Sequence, residues 1–156
     1  MKKKFSLPML LLAFSALALV LSGACKAAVP VLKFDAVEAN RSPVLLGVAS
    51  VFMKIENAGG AGDSLVAAGI DVPGAVAELH DIRDGKMVKV KTIDIPAGET
   101  IVLRPARQHI MILNLPKDVK DGFKFTVTLR FRKSGVKSLP LELTPFTPGG
   151  SLPLRY

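Results

Sequence analysis

The segment from His80 to Met111 carries the side chains whose types and spacing could do chemistry. It holds both histidines of the 156-residue sequence, His80 and His109, together with Met87 and Met111. Imidazole and thioether are soft donors of the kind that Cu(I) prefers, whereas zinc sites use Cys, His and carboxylate. A thioether does not titrate, so methionine keeps binding metal where acid would protonate other donors. These residue types raise the hypothesis of a Cu(I) site in this segment.

A predicted hairpin places the first two donors near each other. Asp84-Gly85 is a strong turn signal. With a two-residue loop, Ile82 faces Met87 and His80 faces Lys89, because directly opposed residues of antiparallel strands share a face. His80 and Met87 are then diagonal neighbours on a mostly polar face. The opposite face is predicted to be the core side and carries Ala77, Leu79, Val88 and Val90.

His109 and Met111 stand at positions i and i+2, so on a strand they also share a face. The pattern leaves open whether this pair meets the hairpin pair in space. It also leaves open the ordinary roles of these residue types, since a single histidine is usually a polar surface or core residue and a methionine usually fills an apolar gap. Met53 fits that second role because it alternates with aliphatic residues.

The rest of the chain consists of short apolar-alternating runs separated by turn residues. This pattern predicts one all-β domain, an antiparallel β-sandwich of about eight or nine short strands. Pro140, in the last run, predicts a sheet edge. No segment has a long helical period. The candidate strands are residues 31–37, 45–55, 64–70, 76–82, 87–93, 100–103, 109–115, 123–131 and 139–143.

The N-terminus is typical of a secretory signal peptide over residues 1–24. Lysines at 2–4 precede an apolar run at 5–21 and small residues at 22–24. A single membrane span is the alternative. The small residues before Cys25 resemble a lipoprotein signal, in which a lipid on Cys25 would tether the protein to a membrane surface. Cleavage without lipidation fits the same residues.

Bulk properties narrow the classes of function for the mature chain. Removing residues 1–24 from 156 leaves 132 residues (25–156), enough for one domain with a real core. The net charge of +8 falls to +5 once three lysines are removed, which does not indicate nucleic-acid binding. Cys25 is the only cysteine, so an internal disulfide, dithiol catalysis within the domain and a cysteine-ligated blue-copper site are not expected.

The chain resembles a known family, the periplasmic Cu(I) chaperones called PCu(A)C. Their signature is His-Met, ten residues, Met, twenty-one residues, and then His-x-Met. Residues 88–108 supply the twenty-one-residue gap, and His109-Ile110-Met111 supplies the closing motif. The similarity extends from roughly Val31 to Leu143, and it departs from the signature at Asp81, which stands where the family often has Met. Only six residues separate the first histidine from the next methionine, so the hairpin is shorter than the family's.

The resemblance implies a cupredoxin-like (Ig-like) β-sandwich that carries copper and is not an enzyme. The implied ligands of one Cu(I) ion are His80, Met87, His109 and Met111. The implied location is the periplasm, with the membrane reached only through the signal segment or a lipid on Cys25. The implied partner is a copper-accepting protein, either cytochrome c oxidase subunit II or a Sco-type thiol protein.

Two other classes of function stay open as alternatives. One is a metal-free β-sandwich that acts as a binding or assembly module of the cell envelope. The other is a hydrolase, although no nucleophile motif surrounds the serines and aspartates. Basic residues near the predicted site either dock an acidic partner or solvate the outer face; they are Arg83, Lys86, Lys89 and Arg107.

Overall fold

The computed structural model describes residues 28–147, and within this range the chain forms ten β-strands. In chain order they are β1 Leu32–Arg41, β2 Ala49–Asn57, β3 Asp63–Ile70, β4 Val76–Arg83, β5 Lys86–Lys89, β6 Ile93–Ile95, β7 Thr100–Leu103, β8 His109–Leu113, β9 Lys124–Phe131 and β10 Gly135–Pro145. No helix in residues 28–147 is long and apolar enough to cross a bilayer. The predicted signal peptide and Cys25 lie outside the described residues.

The strands follow the order β5-β4-β8-β2-β1-β10-β9-β3-β6, and β7 also pairs with β2. β10 pairs with β9 along most of its length and joins β1 at its end, so it links the two layers of the sandwich. The β1–β10 pairing is parallel, with Ala39 opposite Leu143, whereas the other pairings are antiparallel. The predicted all-β sandwich is confirmed, with this parallel pair as a departure from the antiparallel prediction.

The structure has ten strands where about eight or nine were predicted, because the predicted strand at residues 87–93 corresponds to two strands, β5 and β6. β5 pairs with β4, whereas β6 pairs with β3 in the other layer. The chain therefore changes layers between Lys89 and Ile93. Ile93 and Ile95 are fully buried, so the second strand contributes to the core of the layer that it enters.

β1 also runs further than the predicted residues 31–37 and continues through Arg41. Its register against β2 shifts between Asp35 and Glu38, beside Ala36 with a φ of 48°. A bulge of this kind adds a residue to one strand without ending the pairing. Asn40 continues the ladder opposite Ser50 of β2 and Thr144 of β10, and its side chain donates to Thr144 Oγ1 at 2.9 Å.

The core fixes the register of the strands that carry the candidate site. Alternate side chains of β2 and β8 are fully buried between the layers, and each contributes about 1.5–3 kcal/mol relative to an exposed position. A one-residue slip would move this whole apolar set to the other face. Met53 has an exposed fraction of 0%, so its predicted core role is confirmed. These buried side chains include Val51, Met53, Ile55, Ile110 and Ile112.

Asn57, at the end of β2, is a fully buried amide that holds two loops and the start of the described chain together. Its Nδ2 donates to the carbonyls of Ala61 at 2.9 Å and Pro96 at 3.1 Å. Its Oδ1 accepts from the backbone N–H of Val31 and of Gly59, both at 3.0 Å. Both polar atoms of the amide are therefore satisfied.

Asp63, at the start of β3, is a buried carboxylate with the same kind of role. It accepts hydrogen bonds from the backbone N–H of Ser64 at 2.8 Å and from those of Lys133 and Ser134 at 2.9 Å each. Burial raises the pKa of Asp63, but the hydrogen bonds from Ser134, Lys133 and Ser64 outweigh burial and lower the pKa below its usual value.

Candidate metal site

The pairing of β4 with β8 brings the two histidines together. His80 is directly opposite His109, and Glu78 is directly opposite Met111. Directly opposed residues share a face, so all four side chains lie on one side of the sheet. The question that the sequence left open, whether the two histidines meet in space, is therefore answered by the fold.

Neighbouring apolar residues determine which way these side chains point. Leu79 on β4 and Ile110 on β8 are buried in the core and face each other across the ladder. Because successive side chains on a strand alternate between faces, the residues on either side of them turn away from the core. His80 and His109 therefore project from the outer face of this layer.

The two imidazoles are nevertheless buried. His109 is 3% exposed and His80 is 9% exposed. Their ring centroids are 5.9 Å apart with an interplanar angle of 41°, and the ring of Phe52 lies 6.2 Å from that of His109. Two rings that share one ion through metal–nitrogen bonds of about 2.0–2.1 Å, as in zinc sites, have a similar separation.

His109 is held in one tautomer. Its Nδ1 lies 2.8 Å from the carbonyl oxygen of Arg107, which can only accept, so Nδ1 carries the hydrogen and Nε2 carries the lone pair. Burial lowers the pKa of His109 below its usual value, although the hydrogen bond to Arg107 opposes this effect. Burial therefore favours the neutral form of His109, which is the form that binds metal.

His80 makes its hydrogen bond through the other nitrogen. Its Nε2 lies 3.1 Å from Glu78 Oε2, and Glu78 Oε1 accepts from Lys89 Nζ at 2.6 Å. The hydrogen bond from Lys89, followed by that from His80, lowers the pKa of Glu78. Nδ1 of His80 is buried without a hydrogen-bond partner within residues 28–147. A buried nitrogen without a hydrogen-bond partner is rare in folded proteins, and a bound ion would supply the missing partner.

The two methionines lie on the same face at different depths. Met111 is half-buried on β8, two residues beyond His109, and pairs with Ser50 of β2. Met87 is 51% exposed on the edge strand β5, opposite Ile82, as the predicted hairpin register required. Met87 is thus the most exposed of the predicted donors. Met111 is two residues from a histidine in sequence, whereas Met87 is seven residues from one.

Three groups that contact the histidines were not predicted from the sequence: the Glu78 carboxylate, the Phe52 ring and the Arg107 carbonyl. Glu78 could have been predicted, because it stands two residues before His80 on the same face of the strand. The contact of Phe52 depends on strand pairing and had no local signal. Within residues 28–147, no three His, Cys, Asp or Glu side chains are grouped so that they could hold a metal ion.

Comparison with known proteins finds a family and a related sequence that this chain resembles. Residues 35–142 match the family described as "Putative lipoprotein LpqE-like". The chain is also 28% identical over 106 residues to "Putative lipoprotein Lxx21020" of Leifsonia xyli subsp. xyli (strain CTCB07). That match covers 65% of this chain and 63% of the relative, so it spans less than two thirds of the relative's length.

Solved structures with the same fold include PCuAC domains. The apo PCuAC domain from PmoF1 superposes with a TM-score of 0.63 at 23% identity, covering 74% of this chain and 94% of that domain. The copper-bound PCuAC domain from PmoF2 gives a TM-score of 0.60 at 16% identity, covering 74% of this chain and 93% of that domain. This likeness confirms the cupredoxin-like β fold.

Proposed function

Because this chain belongs to the LpqE-like family and has the fold of PCuAC domains, we propose that it is an extracytoplasmic copper carrier. It binds one Cu(I) ion through His80, Met87, His109 and Met111. The observation that carries this proposal is the pair of buried imidazoles, each with one nitrogen engaged as a donor and the other left with a free lone pair.

The donor chemistry fits a soft ion. Imidazole and thioether are ligands that Cu(I) accepts readily. The hydrogen bonds to Arg107 and Glu78 orient the two rings in the way that outer-shell partners orient metal-binding histidines elsewhere. The unpartnered Nδ1 of His80 supports the fit further, because an ion bound there would satisfy it.

The proposed ligands differ in solvent exposure, as expected of a protein that transfers its metal to an acceptor. Met87 is half exposed at the sheet edge, whereas both imidazoles are buried. An acceptor could replace the Met87 thioether first and then compete for the remaining ligands one at a time. The cargo undergoes no covalent change in this exchange, so the proposed role is that of a carrier and not of an enzyme.

The destination of the copper is proposed from the same premise. The signal peptide predicted at residues 1–24 and the lipoprotein names of the family and of the relative favour a location outside the cytoplasmic membrane, with Cys25 as the residue that carries a lipid. The acceptor we propose is the copper site of cytochrome c oxidase subunit II or a Sco-type protein. Transfer to a purified acceptor domain of either kind, followed by its copper spectrum, tests this step.

Anaerobic titration of Cu(I) against a competing chelator tests the binding itself. We expect a 1:1 complex in the wild type. The double variant His109→Ala/Met111→Ala should lose more affinity than the about 10- to 100-fold that follows loss of an outer-shell partner. Met53→Leu, which changes a buried core methionine, is the matched control and should bind like the wild type.

Two results would overturn the carrier proposal. One is the absence of Cu(I) binding by the wild type, and the other is equal affinity in the wild type and the double variant. Absence of binding would leave the metal-free binding or assembly module as the better account, whereas equal affinity would place the copper at residues other than His109 and Met111. X-ray absorption of the copper-loaded protein adds an independent reading, for which we expect mixed nitrogen and sulfur coordination.

A further inference from the structure

We propose that Glu78 is the positioning residue of this site: it holds His80 through Nε2, so that the ring offers Nδ1 to the ion. This inference rests on the proposed function, and it assigns the ligating atom of each histidine. His80 would bind through Nδ1 and His109 through Nε2. Nothing in the spacing of the sequence distinguishes these atoms.

The contacts around Glu78 form a short chain. Lys89 Nζ donates to Glu78 Oε1 at 2.6 Å, and Glu78 Oε2 lies 3.1 Å from His80 Nε2. An ionised carboxylate only accepts hydrogen bonds, so Nε2 must carry the hydrogen. A neutral imidazole has one N–H, and the lone pair of His80 is therefore on Nδ1.

Burial makes that lone pair significant. Nδ1 of His80 is buried, and within the described part of the chain it has no hydrogen-bond partner. The corresponding atom of His109 donates to the Arg107 carbonyl at 2.8 Å. Buried polar atoms of folded proteins almost always have a partner. Among the described residues, His80 Nδ1 shares this lack of a partner only with Ser134 Oγ, and only His80 Nδ1 lies beside a second imidazole, so it is the atom that awaits a ligand.

Strand pairing fixes the chain of contacts in place. Glu78 and His80 are two residues apart on β4, and their side chains share a face. Lys89 is directly opposite His80 on β5, within reach of the Glu78 carboxylate. Because these positions are set by the backbone ladder, the orientation of His80 exists before the ion binds.

NMR of the apo protein with ¹⁵N-labelled histidine reads the tautomers directly. In the wild type we expect hydrogen on Nε2 of His80 and on Nδ1 of His109. Glu78→Ala should remove the preference at His80, leave His109 unchanged, and lower Cu(I) affinity by about 10- to 100-fold. Glu78→Gln keeps the shape of the side chain and one acceptor oxygen, so its loss of affinity should be smaller.

Glu56→Gln is the matched control, since Glu56 is an exposed carboxylate on β2 that pairs with Lys33 at 3.4 Å. It should alter neither the tautomers nor the affinity. Circular dichroism and thermal unfolding verify that each variant is folded. If Glu78→Ala does not fold, Glu78→Leu, which also removes both acceptor oxygens, carries the test, and an affinity and a His80 tautomer equal to those of the wild type would overturn the inference.

The inference also fails if apo wild-type His80 carries its hydrogen on Nδ1, or if Glu78→Ala leaves tautomer and affinity unchanged. These failures differ from failure of the carrier proposal. A wild type that binds no Cu(I) overturns the carrier role. A wild type that binds Cu(I) and needs His109 and Met111, but not Glu78, overturns only the positioning role.

Discussion

Two regions of this protein, one at Asn57 and Asp63 and the other at His80 and His109, hold buried residues whose side chains differ in how completely their polar atoms are paired. Asn57 and Asp63 have every polar side-chain atom in a hydrogen bond. His80 has one ring nitrogen paired and the other buried without a partner. A fully satisfied polar residue is explained by the structure that it holds together, whereas a half-satisfied one needs a further partner.

The two regions also differ in their place in the fold. Asn57 and Asp63 lie where strands end and loops must be held, so the backbone depends on them. His80 and His109 lie on a regular ladder between β4 and β8, whose backbone hydrogen bonds do not need an imidazole. Stability should therefore depend on the first region, and metal binding on the second.

Asn57→Ala should have the largest effect on stability. It removes the acceptor of the Val31 and Gly59 N–H groups and the donor to two carbonyls. Leaving buried backbone groups unsatisfied should lower the free energy of unfolding by about 3 kcal/mol, measured by urea denaturation. Ser138→Ala, an exposed hydroxyl on β10, is the control. A loss below about 1 kcal/mol would contradict the structural role.

Asp63→Asn should destabilise the protein in a pH-dependent way. The pKa of Asp63 is lowered in the folded state, so its carboxylate stabilises the fold above its unfolded value near 3.8. That stabilisation is lost as the pH falls through the lower folded value. We expect a cost of about 1.5–3 kcal/mol at neutral pH, shrinking in acid, from urea denaturation across the pH range. A difference that is constant with pH would refute the assignment.

His80→Leu should have a small effect on stability. The substitution removes the buried Nδ1 that has no partner, and although Glu78 loses its contact with His80, it keeps the one with Lys89. We expect a change of less than about 1 kcal/mol in urea denaturation, together with a loss of Cu(I) affinity. Destabilisation by about 3 kcal/mol or more would show that His80, like Asn57, holds the fold together.

Met87→Leu should have the smallest effect on stability and isolates the most exposed donor. Because Met87 is half exposed, the free energy of unfolding should change by less than about 0.5 kcal/mol, while Cu(I) affinity falls. Met53→Leu should show the reverse, with a cost below about 1.5 kcal/mol and unchanged affinity. Equal affinity in Met87→Leu and the wild type would remove Met87 from the ligand set.

Local patterns predicted the parts of the fold that depend on local chemistry. The Asp84-Gly85 turn formed as expected, with φ values of 51° and 72° at its two residues, and the β7 span matched the predicted residues 100–103. The division of residues 87–93 into two strands was not predictable from local patterns. Apolar residues recur through the whole segment, although its first part pairs with β4 and its last part pairs with β3. Pro140 was predicted to lie at a sheet edge. β10 has neighbours on both sides only from Leu143 onward, where β1 joins it, so Pro140 has a paired strand, β9, on one side only.

The candidate site divides along the same line. Alternation placed His80, Met87, His109 and Met111 on outward faces, and the hairpin register was confirmed. The meeting of His80 with His109 depends on β4 pairing with β8, two strands between which three other strands intervene along the chain, and no local pattern encodes it. The same holds for Phe52, which reaches His109 from a third strand.

The short strand β5, which exposes Met87 at an open sheet edge, has a consequence for association between copies of the chain. An unpaired edge is a template for association with another copy of the same chain. β5 is only four residues long and carries Lys86 and Lys89, whose charges repel an identical edge. The strand that exposes Met87 thus also has the short length and the charges that oppose aggregation through this edge.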